Sequence, residues 1–174
     1  MKKIKGRLEK SLGRNELREY LSSKEEASSK SSQLFSIKKR LIDYCEPIRD
    51  PKVLLVSPRI TIPKYMQKRC IPPLGISYIA ASLLESNIDV DIFDCCVEGW
   101  HIEKESQSGS LITYGLPPVE MLEKIKDKKY DIIGISVLFS TDLPNLYETT
   151  KAIKEKMPNA IIVTGGLHPT IYPK

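Results

Sequence analysis

The residues of this 174-residue chain whose types and spacing could do chemistry are Ser136-Val137-Leu138 and Gly165-Gly166, with residues 139–164 between them. That interval is one β-α-β turn. A hydroxyl at one strand end and two side-chain-free residues at the next let a broad planar ligand lie against the backbone, where larger groups would collide with it. Phe139 and Ser140 border the first motif, Thr164 and His168 flank the second, and Pro73-Leu74-Gly75 opens a helix upstream. The pattern points to a bound cofactor. The chain by itself carries no catalytic set.

The elements that must position these residues begin at Val53-Leu54-Leu55-Val56, a continuous apolar run of the kind buried on both faces of a sheet. A loop through Pro63 follows. Pro72-Pro73 then starts a helix whose apolar positions Leu74, Ile76, Ile79, Ala80, Leu83 and Leu84 recur at helical spacing, with Asn87 as its stop. The second strand is Val90-Asp91-Ile92-Phe93, closing at Asp94. From Cys95 to Gly115-Leu116-Pro117-Pro118 no period emerges, and the segment reads as a functional loop.

Val119, Leu122 and Ile125 mark a helix leading to a third strand, Asp131 to Ser136. Asp142 is a candidate N-cap for the next helix, whose inner face is Leu146, Thr149, Ile153 and Met157. Ala160 to Thr164 is the fourth strand. Strands alternating with helices require crossovers that return the chain in the same direction, so the fold class is α/β. A doubly wound, Rossmann-like or flavodoxin-like parallel sheet ending after its fourth strand is expected. Ligands of such sheets sit outside the carboxyl ends of the strands, where Ser57, Asp94, Ser136 and Gly165 fall.

Composition narrows the function. Residues 1–50 hold 13 Lys and Arg against 8 Asp and Glu, and residues 51–174 hold 14 of each. The first part is a basic extension with short helices, including apolar positions Leu8, Leu12, Leu17, Tyr20 and Leu21 and a serine-rich linker from Ser22 to Ser36. The second, 51–174, is the folded domain. Its neutrality and the chain's single Trp and three Phe argue against a nucleic-acid partner. No apolar run reaches the roughly 20 residues that span a bilayer, and Met1-Lys2-Lys3-Ile4-Lys5 leads into charges, so no membrane and a cytoplasmic location are expected. Cys45, Cys70, Cys95 and Cys96 lack the spacing of a zinc or iron–sulfur site and read as reduced, mostly structural thiols, with Cys95-Cys96 open as a redox-sensitive pair.

After the first strand there is neither G-x-G-x-x-G nor a phosphate-cradling G-x-x-x-x-G-K-[ST]. A phosphoacceptor would need an Asp closing the third strand, where Ser136 stands. The two motifs resemble the cobalamin-binding (B12-binding) domain family, in which S-x-L on the third strand and G-G after the fourth line a slot for the cofactor's nucleotide tail. By that resemblance the Ser136 hydroxyl hydrogen-bonds the buried base and Gly165-Gly166 leave room for its plane. The branch with a histidine lower ligand carries D-x-H-x-x-G after the first strand, and this chain has Ser57-Pro58-Arg59-Ile60-Thr61-Ile62 there. Asp94-Cys95-Cys96-Val97-Glu98-Gly99 imitates the motif but follows the second strand.

Pro72-Pro73-Leu74-Gly75, Tyr114-Gly115-Leu116-Pro117, Gly134 to Ser140 and Gly165-Gly166-Leu167-His168-Pro169-Thr170 are similar to the cobalamin module preceding the barrel of cobalamin-dependent radical S-adenosylmethionine (SAM) enzymes, over roughly Pro51 to Lys174. The resemblance implies base-off cobalamin without a His lower ligand. It also implies a radical SAM domain in cis or trans, the parent being a methyltransferase or related radical enzyme. S-adenosylmethionine and a 4Fe-4S cluster are expected only in such a following domain, because no C-x-x-x-C-x-x-C occurs here. A fifth strand with its helix is also absent, and the chain reads as an amino-terminal piece.

Blander readings stand beside these. His168 either contacts the cofactor or faces water, Gly75 either admits the corrin or only starts a helix, and Ser136 alone would serve local backbone groups. Arg59, Lys64, Lys68 and Arg69 form either a cofactor-pairing or a solvated basic loop. Trp100 and His101 are candidates to cover a ligand or a partner domain. The alternatives from other classes are a cofactor-free α/β interaction or regulatory domain, and a nucleotide-sugar or dinucleotide binder.

Overall fold

The computed structural model describes residues 48–172. The expectations for residues 1–47, including their helices, linker and Cys45, lie outside the described residues. Seven strands and five helices follow in chain order: β1 (Val53–Ser57), β2 (Ile60–Pro63), α1 (Leu74–Glu85), β3 (Val90–Asp94), α2 (Cys95–Glu98), β4 (Glu103–Glu105), β5 (Leu111–Tyr114), α3 (Pro118–Lys124), β6 (Ile132–Ser136), α4 (Leu143–Lys156), β7 (Ile161–Gly165) and α5 (Leu167–Ile171). A 3-10 turn, Ser140–Asp142, leads into α4.

Four strands pair in parallel in the order β3-β1-β6-β7. This is the 2-1-3-4 order of a flavodoxin-like sheet, whose strand order reverses between β1 and β6. The run Val53 to Val56 divides by strand alternation. Val53 and Leu55 meet Ile76 and Ala80 of α1, while Leu54 and Val56 join Met121, Leu122, Leu146 and Ile153 from α3 and α4. Helices therefore lie on both faces, as the sequence implied. Among the described residues no helix is long and apolar enough to cross a membrane.

The helical period overstated the inner face of α1. Ile76 and Ala80 are buried and Leu83 partly so, but Leu74, Ile79 and Leu84 are exposed. α1 leans chiefly on β1 and β3, so one helix cannot bury every apolar position that its sequence offers. Val119 of α3 is likewise exposed.

The segments read as loops hold a second sheet. β2, β5 and β4 pair antiparallel in that order, with Thr61 opposite Thr113 and their hydroxyls 2.9 Å apart. β4 and β5 form a hairpin whose turn includes Gly109 at φ +68°. Strands of three or four residues are too short to show a period of two in sequence.

Asp142 stands at the start of α4, but its side chain does not cap that helix. Its Oδ1 instead accepts from Thr61 N–H at 3.0 Å and fastens the second sheet to α4.

Candidate cofactor-binding site

The carboxyl ends of the four parallel strands fall into two halves. At the β1/β3 half most polar side chains are already engaged, Arg59 Nε being left without a partner among the described residues. Asp94 Oδ1 accepts from the N–H groups of Cys96 at 2.9 Å and Val97 at 3.4 Å. Burial pushes its carboxyl up, against the pull of those two donors. Arg59, in the loop after β1 where a lower-ligand histidine would belong, is buried and paired with Glu148 of α4. Asn145 Nδ2 donates to the Arg59 carbonyl at 3.0 Å and to Thr61 Oγ1 at 2.9 Å. Asp142 is buried in the same network, and that burial raises its pKa although Thr61 N–H favours the charged form.

Trp100 belongs to this closed half. Its ring meets Tyr114 edge-on at 5.7 Å, and Lys68 Nζ lies 4.5 Å from the Trp100 centroid. Lys68 also pairs with Glu103, so neither Trp100 nor Lys68 stands as a free cover or a solvated cation. Cys95 and Cys96 are free and buried, and burial pushes both thiols up to about 12. Thiols so protonated are poor nucleophiles, which fits structural groups better than a redox pair. A groove of about 400 Å³ opens beside this half between the starts of α1 and α2, lined in part by Cys70, Pro73, Ser77, Ile92 and Asp94. It does not reach Ser136 or Gly165.

The β6/β7 half is built differently. Ser136 and Gly165 are Cα partners in register, so the two motifs read from sequence are side by side. Alternation puts Ser136 and Gly134 on one face of β6 and Gly165, Val163 and Ile161 on the same face of β7. That face is covered by α1 over β1, yet Ile161 and Val163 remain 46% and 52% exposed. Gly75 and Ile79 are one turn apart on α1, on the flank away from Ser77 and its groove, and so border this open face. Among the described residues, a Cβ on Gly165 or Gly75 would meet nothing within 4 Å. Both positions can admit a plane.

Gly166 has another role. Its φ is +106°, and a Cβ there would stand 2.5 Å from the Val137 carbonyl oxygen. The glycine is required by the approach of its own main chain to Val137, not by room for a ligand. Val137 is fully buried, and Thr164 pairs with Ile135 on the opposite face, so both lend backbone rather than side chains to the open face.

Around this end Leu138 and Phe139 after β6 and Leu167 and Ile171 of α5 are exposed. Such a cluster beside a vacant sheet face marks an interaction surface. Ser140 Oγ lies 3.0 Å from His168 Nδ1, and Val137 N–H donates to the Gly165 carbonyl at 2.8 Å. Thus Ser136, Leu138, Phe139, Ser140, Gly165 and His168 are brought together, Gly75 lies on the flank of α1 away from Ser77, Leu74 is exposed at the start of α1, and Pro73 lines the separate groove. Sequence reasoning missed Ile161, Val163, Leu167 and Ile171. Their apolar character was visible, but their exposure was not.

The B12 binding domain family matches residues 67–174 of the chain. Cytidylyl-2-hydroxyethylphosphonate methyltransferase of Streptomyces wedmorensis is 32% identical over 130 residues, which are 74% of this chain. The chain spans 24% of that protein's length. With more than half of its residues matched, and with the parallel sheet and paired strand-end motifs in place, the chain belongs to the B12-binding domain family.

Proposed function

We propose that the chain is a cobalamin-binding module, with residues 51–174 as the binding domain and 1–50 as an extension to it. The observation that carries this reading is the Ser136–Gly165 pair on a sheet face that has no covering side chains at Gly165 and Gly75. In this reading the Ser136 hydroxyl bonds the base of the nucleotide tail, and Gly165 and Gly75 accommodate its plane. Leu74, Leu138 and Phe139 supply apolar contact along the rim. Cobalamin bound there would supply a methyl carrier or redox partner.

The chain's own residues favour a base-off form. Arg59 replaces the ligating histidine and is held by Glu148, and His168 is bonded to Ser140. The parent protein is read as a cobalamin-dependent radical SAM methyltransferase, whose S-adenosylmethionine and 4Fe-4S cluster belong to a separate domain in cis or trans. The methyltransferase relative supports transfer of a methyl group as the reaction class. A cytoplasmic location goes with that reading.

Titration of the purified chain with hydroxocobalamin, followed by absorbance, tests the proposal. Saturable binding at one equivalent is expected, and Ser136→Leu should abolish it while circular dichroism stays unchanged. A well-folded chain that leaves the cofactor spectrum untouched would refute it. The exposed Ile161 and Val163 favour the second reading, a cofactor-free interaction domain. In that case Ser136→Leu changes nothing.

A further inference from the structure

The two loops that flank the open face are tied together unequally. At the Val137 end the ties are main-chain: Val137 N–H donates to Gly165 O at 2.8 Å, His168 N–H donates to Val137 O at 3.3 Å, and Gly166 packs against the Val137 carbonyl. Three residues on, the Ser140 Oγ to His168 Nδ1 bond of 3.0 Å ties the loop to α5 again. Between these two anchors lie Leu138 and Phe139, 55% and 60% exposed, with Phe139 in extended backbone at φ −120° and ψ 151°. The imidazole itself is partly buried and lies against Tyr172, with ring centroids 5.2 Å apart.

We infer that His168 is a positioning residue: by bonding Ser140 across the two loops it holds Leu138 and Phe139 at the mouth of the open face, and it does not itself touch the bound group. The inference rests on the cobalamin reading for what Leu138 and Phe139 hold. The hydrogen bond defines the role of the ring, because Nδ1 is engaged by Ser140 while the ring face is packed on Tyr172. A serine hydroxyl both donates and accepts, so it can pair with Nδ1 in either tautomer.

The position separates the two functions of the side chain. His168→Phe keeps a ring for Tyr172 and loses Nδ1, whereas His168→Asn keeps a polar atom near Nδ1 and loses the ring. Ser140→Ala removes the partner. In the chain without ligand, exchange of the Asp142 amide, bonded to the Phe139 carbonyl at 3.0 Å, should quicken in His168→Phe and Ser140→Ala and stay near the unsubstituted rate in His168→Asn.

Hydroxocobalamin affinity should follow the same order. His168→Phe and Ser140→Ala should each weaken it by about fivefold, the worth of one neutral hydrogen bond, and the double variant by no more than either alone. Unchanged exchange at the Asp142 amide, additive losses in the double variant, or His168→Asn binding as weakly as His168→Phe overturns the inference while leaving the cofactor reading intact. Failure of the unsubstituted chain to bind hydroxocobalamin overturns the cofactor reading, and with it the purpose given to the rim.

Discussion

The two halves of the sheet's carboxyl edge use the same backbone geometry for opposite ends. Over β1 and β3, Arg59, Asp142, Asn145 and Thr61 satisfy one another beneath the second sheet. Over β6 and β7 the loops are tied mainly by main-chain bonds, and apolar side chains face outward. The buried polar network spends its donors internally, with Arg59 Nε the one buried side-chain atom left without a partner among the described residues, and an uncovered apolar face beside a free glycine leaves space for a ligand. Under the proposed cobalamin reading, the difference puts the binding function on β6 and β7 and gives β2, β4 and β5 a supporting role.

The largest effect that should break this contrast comes from the paired glycines. Gly166→Val places a β-branched residue at φ +106° against the Val137 carbonyl and should destabilise the fold by about 3 kcal/mol, read from urea unfolding. Gly165→Ala, one residue away in open space, should change stability by no more than about 0.5 kcal/mol. Equal losses at the two positions would contradict their division of roles.

On the closed half, Arg59→Ala should cost about 1–2 kcal/mol by the same measurement. It removes the pair with Glu148, but Glu148 stays half-exposed and is not left as a buried charge. Asp142→Asn should act in the other direction. Burial raises the folded-state pKa of Asp142 above its ordinary 3.8, so the ionised form costs stability at neutral pH and the cost is relieved as pH falls through the raised value. The asparagine keeps an oxygen for Thr61 N–H. Its stability at pH 7 should equal or exceed that of the unsubstituted chain, with the gap closing as pH falls toward 3.8.

The smallest effect belongs to the open face. Val163→Thr should shift stability by about 0.5 kcal/mol or less because the side chain is already wet.

These contrasts also mark what sequence could convey. Val53 to Val56, Val90 to Phe93, Ile132 to Ser136 and Ile161 to Thr164 were legible as strands because each is a short stretch rich in β-branched or aromatic residues between turn signals. The adjacency of Ser136 and Gly165 followed from one β-α-β spacing. The second sheet stayed hidden in strands of three and four residues, and Asp142 looked like a helix cap because its partner Thr61 is 81 residues away. Apolar residues at helical spacing could not be divided into core and surface, so Leu74 and Ile79 were read in one period with Ile76 and Ala80. Gly165 and Gly166 looked alike because a positive φ is set by tertiary contact with Val137, which the residue type does not announce.

The central claim is that the face at Gly165 receives a flat ligand, and hydroxocobalamin titration of Gly165→Val beside the unsubstituted chain tests it most directly. With thermal midpoints matched within a few degrees, the account predicts saturable binding by the unsubstituted chain and a loss of about tenfold or more in the variant. Equal affinity in the two proteins would contradict it.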